Sequence, residues 1–418
     1  MKKYLVVVGS AILMTSVFLG FSSGKAVADL SPVEELGKKL FFDRSLSSPV
    51  GQECAVCHGP SVGFTGPEER FNKVGGVYEG AVKGRFGNRK PPAAAYAGDS
   101  PKLHIDKNGN FVGGMFWDGR ATGDVLGDPL AEQAMGPFMN PLEQNMPDKK
   151  SIVLAVRKSG YVRLFEEVWG KDSLDSEKNV DKTYEWIARS IAAYERSAEV
   201  NPFSSKFDAF WKAATAKGLK VETIDAATAK NFRSLGLAER EIAGLVLFNT
   251  KGLCAGCHVL TSAQGKPPVF TDYTYDNIGV PKNPDNPFYG QAKNFNPEGK
   301  AWADKGLGGF LETVEKYKSH AAANMGKHKV PTLRNVDERP SPGFVKAYMH
   351  NGFFKSLKEV VRFYNTRDKA GAKWPAPEVQ ANLNTKEVGN LGLTDDEENA
   401  IVDFMKTLTD KRKSGGAV

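Results

Sequence analysis

All four cysteines of this chain, Cys54, Cys57, Cys254 and Cys257, lie in two copies of one unit, a Cys-x-x-Cys pair with a histidine directly after it. The first copy reads "GQECAVCHGP" and carries His58; the second reads "GLCAGCHVL" and carries His258. Three chemistries use cysteine in such pairs: a zinc site, a disulfide or redox pair, and covalent c-type haem attachment. A disulfide gives no reason for a histidine at the next position, twice. Zinc ribbons keep their two knuckles about 15–20 residues apart, whereas His58 and His258 are 200 positions apart. Haem attachment uses every position of the unit. Two thiols form thioethers with the vinyl groups, and the histidine sits beneath the iron as proximal ligand. The spacing therefore predicts two covalent c-type haems, one on His58 and one on His258.

The elements that carry these anchors are legible upstream of each. In "SPVEELGKKLFFD", Ser31 is an N-cap, Pro32 opens the first turn, and Leu36, Leu40 and Phe41 recur at helical spacing. In "LAEREIAGLVLFNTKGL", Ile242, Leu245 and Phe248 recur in the same way. Each motif thus follows an amphipathic helix expected to end at a glycine, and the helix, loop and haem unit is duplicated. Between the copies, Trp186, Ile187, Ile191 and Tyr194 share one face of a further helix. The small, polar, Lys-rich stretch "KAATAKGLKVETIDAATAKNF" (212–232) reads as a linker. The tracts "HIDKNGNFVGG" (104–114) and 262–302 are rich in Gly, Pro and Asn and read as loops. Strand alternation is scarce, so the expected fold class is mainly α.

The chain starts "MKKYLVVVGSAILMTSVFLGFSSGKAVADL": two lysines, an apolar run, then Ala26-Val27-Ala28. This predicts a signal peptide over 1–28, cleavage after Ala28, and a periplasmic location. No later apolar run is long enough to span a membrane. With 41% hydrophobic and 25% charged residues, the rest reads as a soluble globular protein. The formal charge of +7 falls to +4 once Lys2, Lys3 and Lys25 leave with the signal. The basic residues are spread along the chain, which excludes a nucleic-acid surface.

Beyond the two anchors, the blocks "GNRKPPAAAYA" (87–97), "FWDGRATG" (116–123), "AEQAMGPFMNPLE" (131–143), "KVPTLRNV" (329–336) and "YMHNGFFKSLKEVVRFYN" (348–365) follow one another along nearly the whole mature chain. In these the sequence resembles the bacterial di-haem cytochrome c peroxidase family, which includes the MauG-type protein-oxidising enzymes. The resemblance implies two cytochrome c-like helical domains with long loops and one c-type haem each, over 29–215 and 236–418. The first haem would meet hydrogen peroxide and the second would pass electrons.

Glu143 matches the family's distal glutamate, a single carboxylate able to act as general base and then general acid on peroxide. Gln133 and Pro137 match residues lining that pocket. Trp117 matches the tryptophan between the haems that relays electrons, while Asp118 and Arg120 set local structure. Asn88 matches a calcium ligand; the companion Thr-x-Pro is replaced by Val345 and Ala347, which could offer only backbone carbonyls.

Two departures stand out. No histidine follows His58 before residue 104 to cap the first haem, which leaves its sixth position open. At the second haem, Tyr364 stands where peroxidases place an axial methionine, as in MauG-type enzymes; Met325 and Met349 are the competing ligands. His350 is expected near the second haem, and His104, His320 and His328 read as surface or supporting residues.

Three functions follow. One is a peroxidase fed by a small periplasmic cytochrome c or cupredoxin; another is peroxide-dependent oxidation of a side chain in a partner protein; the third is a di-haem electron carrier. The Glu143 block and the open first haem argue against the third. MauG-type enzymes reach their substrate through a tryptophan near the second haem. "LFNTKGL" has none, and Trp302 is the remaining candidate. As to assembly, a monomer and a homodimer are both compatible with the sequence.

Overall fold

The computed structural model describes residue 1 and residues 29–261 and 265–411. Apart from Met1, the expected signal segment lies outside the described residues. The first helix, α1 (Pro32–Phe41), starts where its sequence predicts: Pro32 sits in the first turn, where a missing N–H costs nothing, and Glu34 reaches back to the Ser31 N–H at 2.7 Å. The N-terminal half continues with α2 (Cys54–Cys57), α3 (Glu69–Lys73), α4 (Pro129–Met139), α5 (Lys149–Arg157), α6 (Val162–Trp169) and α7 (Val180–Arg196). The C-terminal half holds α8 (Lys206–Ala216), α9 (Glu239–Asn249), α10 (Gly306–Leu311), α11 (Leu357–Thr366) and α12 (Asp395–Lys406). Short 3-10 turns, one of them at Cys254–Gly256, and two short antiparallel pairs join these helices. β1 (His104–Ile105) pairs with β2 (Phe111–Val112), and β3 (Tyr275–Asp276) pairs with β4 (His328–Lys329). The fold is mainly α, as expected.

The duplication read from the sequence is a duplication of packing. α1 crosses α7, and α9 crosses α12, each at a glycine in contact with the opposing backbone. A Cβ on Gly37 would stand 1.9 Å from the Ser190 carbonyl oxygen, and one on Gly244 would stand 1.9 Å from that of Ala400. Tyr194 and Phe404 fill equivalent places behind the two crossings, each with its Cβ 2.9 Å from the added atom. Each crossing roofs its own apolar core. Leu36, Phe41, Phe138, Ile187 and Tyr194 belong to the first; Phe207, Leu245, Phe248, Phe363 and Phe404 belong to the second. Burying such side chains contributes about 1.5–3 kcal/mol each, so each half carries its own stabilising centre.

Two local expectations need correction. Stretch 212–232 is no linker: Ala214, Val221, Ile224 and Phe232 are buried in the second core, which already begins with Phe207 on α8. The anchor-bearing helices also stop short of a glycine, α1 at Phe41 and α9 at Asn249.

Between the halves lies Arg334, wholly buried. Its Nη1 donates to both Asp208 carboxylate oxygens at 2.8 and 2.9 Å, and its Nε and Nη2 donate to the Pro268 carbonyl. The guanidinium also faces the rings of Tyr96, Phe203, Phe207 and Phe270 at 5.1–5.7 Å. Tyr96 in turn donates to Asp410 at 2.7 Å, tying the first half to the end of the chain. Among the described residues, no helix is long and apolar enough to cross a membrane.

Candidate active site

Both anchor histidines are oriented by the same local device. A Phe in the left-handed region, Phe64 or Phe270 (φ 56° in each), turns its carbonyl back onto the imidazole. His58 Nδ1 lies 3.2 Å from the Phe64 oxygen, and His258 Nδ1 lies 2.9 Å from that of Phe270. A carbonyl only accepts, so Nδ1 carries the proton and Nε2 presents its lone pair, the tautomer that a proximal iron ligand needs. Burial pushes the His58 imidazolium down to about 4 and lowers that of His258, so both rings stay neutral.

The four cysteines are unpaired, and burial holds their thiols protonated, Cys57 up to about 12. Among the described residues, neither cluster of potential metal ligands gathers the two cysteines and the histidine of one motif. The donor set therefore fits thioether anchoring, not a tetrahedral thiolate site.

Around His258 opens a cavity of about 230 Å³. Phe248, Leu357, Val361, Ile401 and Met405 give it apolar walls, and Cys254, Cys257, Tyr364 and Met349 line it as well. An apolar cavity with anchors, a proximal nitrogen and an oxygen donor in one lining fits a haem. Trp302 is not among the lining residues; it packs on Phe288 at 4.9 Å. Burial, with a smaller contribution from Asp276, holds the Tyr364 phenol above its ordinary range, so it takes a strong cation in that cavity to draw off its proton.

Trp117 is buried where the two halves meet. Its Nε1 donates to the Lys90 carbonyl at 2.8 Å, and its own carbonyl accepts from the Lys329 N–H at 2.9 Å. His350, also buried, meets the Trp117 ring edge-on at 6.4 Å. His328, read above as a surface or supporting residue, instead lines the cavity and stacks on His350, with centroids 3.5 Å apart and planes 8° apart. Beneath this pair, Arg89 bridges Asp304 and Asp118, and Arg120 closes on Asp118 at 2.9 Å. Sequence reading singled out Asp118 and Arg120 but missed Arg89, Asp304 and the two lysines.

Glu143 is held by the C-terminal turn of α4. Asp128 caps that helix by accepting from Leu130 and Ala131 N–H groups, and Pro137 near its end leads into a turn centred on Asn140. The Asn140 carbonyl accepts from Glu143 N at 3.0 Å, and the Glu143 carbonyl accepts from Ala81 N at 2.7 Å. Burial raises the Glu143 carboxyl above its ordinary range, while Arg120 and Asn140 pull the other way. Its charge is felt at Cys57, which places it beside the first anchor. Gln133 and Pro137, one turn apart, share a face of α4.

The residues around Asn88 do not fit calcium. The Asn88 carbonyl already accepts from Asn286 at 3.0 Å. Lys346, between Val345 and Ala347, buries an ammonium that donates to the Val62 and Asn335 carbonyls, and it repels a second buried ammonium on Lys90. Two buried cations disfavour a third.

The sequence matches a family model described as "Di-haem cytochrome c peroxidase" over residues 31–216. The chain is 33% identical to the methylamine utilization protein MauG of Paracoccus denitrificans, over 90% of this chain and 88% of the relative. It is 25% identical to the cytochrome-c peroxidase IdrP2 of Denitromonas iodatirespirans, over 92% and 83%. The crystal structure of the diheme peroxidase BthA from Burkholderia thailandensis superposes with a TM-score of 0.72 and 28% identity, covering 92% of this chain and 88% of that one. With the paired anchors, the duplicated helix crossing and the tryptophan between the halves, the chain belongs to the di-haem cytochrome c peroxidase family.

Proposed function

We propose that this protein reduces hydrogen peroxide to water in the periplasm, at the haem held by Cys54, Cys57 and His58. With both haems held, Trp117 would relay two electrons between the halves from a small c-type cytochrome or cupredoxin. The haems, when bound, supply the redox chemistry and the place where peroxide binds. The chain supplies the proton handling. Glu143 takes a proton from one peroxide oxygen and returns it to the other, so that the O–O bond breaks with water as leaving group. Two protons from solvent and two electrons from the donor balance the second water. Arg120 beside Glu143 favours the ionised base at the start of the cycle, and burial favours the protonated acid that follows. Gln133 and Pro137, one turn apart on α4, would flank the same peroxide site. Tyr364, in the lining of the second cavity, would offer the second haem a hard oxygen donor, which would favour oxidised iron where a thioether would favour reduced iron.

The observation that carries this reading is the bonding of Trp117, whose indole N–H and backbone carbonyl are each tied to one haem half. Trp117→Phe keeps an aromatic side chain but removes the indole and its N–H. Holoprotein of this variant should react with peroxide normally in a single mixing experiment and turn over slowly with a reduced cytochrome or cupredoxin. Unchanged turnover with the reduced donor removes Trp117, and with it this electron route.

A second reading, oxidation of a side chain in a partner protein, is favoured by Tyr364 lining the second cavity at the position where peroxidases carry methionine. Capture of partners from the native periplasm, followed by a peroxide-dependent mass shift in a captured protein, decides between the two.

A further inference from the structure

The duplication extends past the helices to the ground on which each haem would rest. In each half a Phe-Thr pair follows the anchor, Phe64-Thr65 and Phe270-Thr271, and a Lys-x-Pro segment packs against it, Lys90-Pro91-Pro92 and Lys329-Val330-Pro331. Thr65 Oγ1 donates to the Pro91 carbonyl at 2.7 Å, and Thr271 Oγ1 donates to the Val330 carbonyl at the same 2.7 Å. The Pro92 and Pro331 carbonyls face the His58 and His258 rings. Lys90 and Lys329 therefore occupy equivalent places in the two halves, and both line the cavity that extends from His258 toward Trp117.

Among the described residues, neither lysine has an acidic partner. Lys90 Nζ donates to Thr65 Oγ1 at 2.7 Å and to the Pro91 carbonyl at 3.0 Å. Lys329 Nζ finds the Met115 sulfur at 3.7 Å and the face of Tyr273 at 5.1 Å. A cation in desolvated ground without a counter-ion is costly, and burial pushes both ammonium groups down to about 7, so a carboxylate arriving beside either one would restore its charge. The surrounding arginines are committed to carboxylates already, Arg89 to Asp118 and Asp304 and Arg334 to Asp208. Among the described residues lining the cavity, Lys90, Lys329 and Lys346 lack a carboxylate partner; Lys346 is committed to the Val62 and Asn335 carbonyls, and of the three only Lys90 and Lys329 are related by the duplication.

We propose that Lys90 and Lys329 are a matched pair of carboxylate receptors, each binding a propionate of the haem in its own half. Haem carries two such carboxylates, on the edge away from the vinyl groups that the cysteines anchor. The proposal rests on the two-haem reading and goes beyond it, because it assigns one charge to each haem. It also gives Trp117 a second role. The peptide groups of the same two lysines hold its indole N–H and its carbonyl, so the residues that would neutralise the haem edges also fix the relay between them.

The test uses holoprotein with Lys90→Met and Lys329→Met, separately. Intact mass is read first, since fewer than two haems in the parent protein would fail the two-haem reading itself and not this one. Midpoint potentials of both haems are then measured by spectroelectrochemical titration. Losing the lysine leaves a propionate uncompensated beside the iron and stabilises the oxidised form. Lys90→Met should lower the potential of the His58 haem by about tenfold in its reduction equilibrium, ~59 mV for one electron, with the His258 haem nearly unmoved. Lys329→Met should do the converse. Should a Met variant fail to load both haems, Lys→Arg at the same position keeps the charge and should load both at parental potentials. Two loaded haems with unmoved potentials in both Met variants, or both variants shifting the same haem, overturn the proposal; so does an Arg variant with a lowered potential.

Discussion

Glu143 and Tyr364 are the residues at which single-atom changes separate chemistry from architecture. Glu143→Gln preserves shape and removes the proposed proton shuttle, and general acid–base groups contribute about 10²–10⁴-fold. The second-order reaction with peroxide in stopped flow should slow within that range, with haem content unchanged; parental kinetics would exclude Glu143. The acid limb gives an independent check. The base must be ionised to act, and burial raises its carboxyl above the ordinary glutamate value of about 4.3. The rate should therefore fall with decreasing pH through an apparent pKa above that value, and this limb should vanish in Glu143→Gln. At the second haem, Tyr364→Phe should alter the ferric spectrum of one haem, and Tyr364→Met should raise its potential. A methionine–iron band in the parent protein, unaltered in Tyr364→Phe, would hand the position to Met349, which lines the same cavity.

At the scale of elements, the two helix crossings make a paired prediction. Gly37→Ala drives a methyl onto the Ser190 carbonyl, and Gly244→Ala drives one onto that of Ala400. Because the obstacle is backbone and cannot rotate away, each should cost at least the about 1–3 kcal/mol usual for overpacking. The two sites lie in separate cores, so their costs should add in the double variant when each half unfolds with the whole. Gly160, exposed and with nothing within 4 Å of an added Cβ, is the control. Thermal melts of the holoprotein that place Gly37→Ala level with Gly160→Ala would mean that the helices separate freely at α1 and α7.

The whole molecule depends on a buried ion pair at the junction of its halves. Arg334→Leu leaves Asp208 without its partner in a site that is 1% exposed. Removal of one member of a buried pair costs about 3–5 kcal/mol. Adding Asp208→Asn should recover much of that loss, because the penalty comes from the stranded carboxylate more than from the missing guanidinium. Denaturant midpoints of the two variants check this. Equal stability of the single and double variants would assign the loss to the ring contacts around Arg334 instead.

The sequence by itself determined what is contiguous. The anchors were legible because all their chemistry falls within five residues, and α1, α7 and α9 because apolar periodicity is a local property of a helix. It also pointed to Trp117, Glu143 and Tyr364 through blocks of resemblance. Only the tertiary structure decided what depends on segments far apart in the chain. Val221, Ile224 and Phe232 are thinly spaced among lysines and alanines, so stretch 212–232 looked like a linker until the second core closed over it. His328 gave no sign of facing a cavity, because its stacking partner His350 belongs to another segment. The equivalence of Lys90 and Lys329 appears only when each is seen against its own Thr, 25 and 58 residues earlier. No local pattern encodes that match; folding creates it by burying each lysine where no carboxylate among the described residues pairs with it.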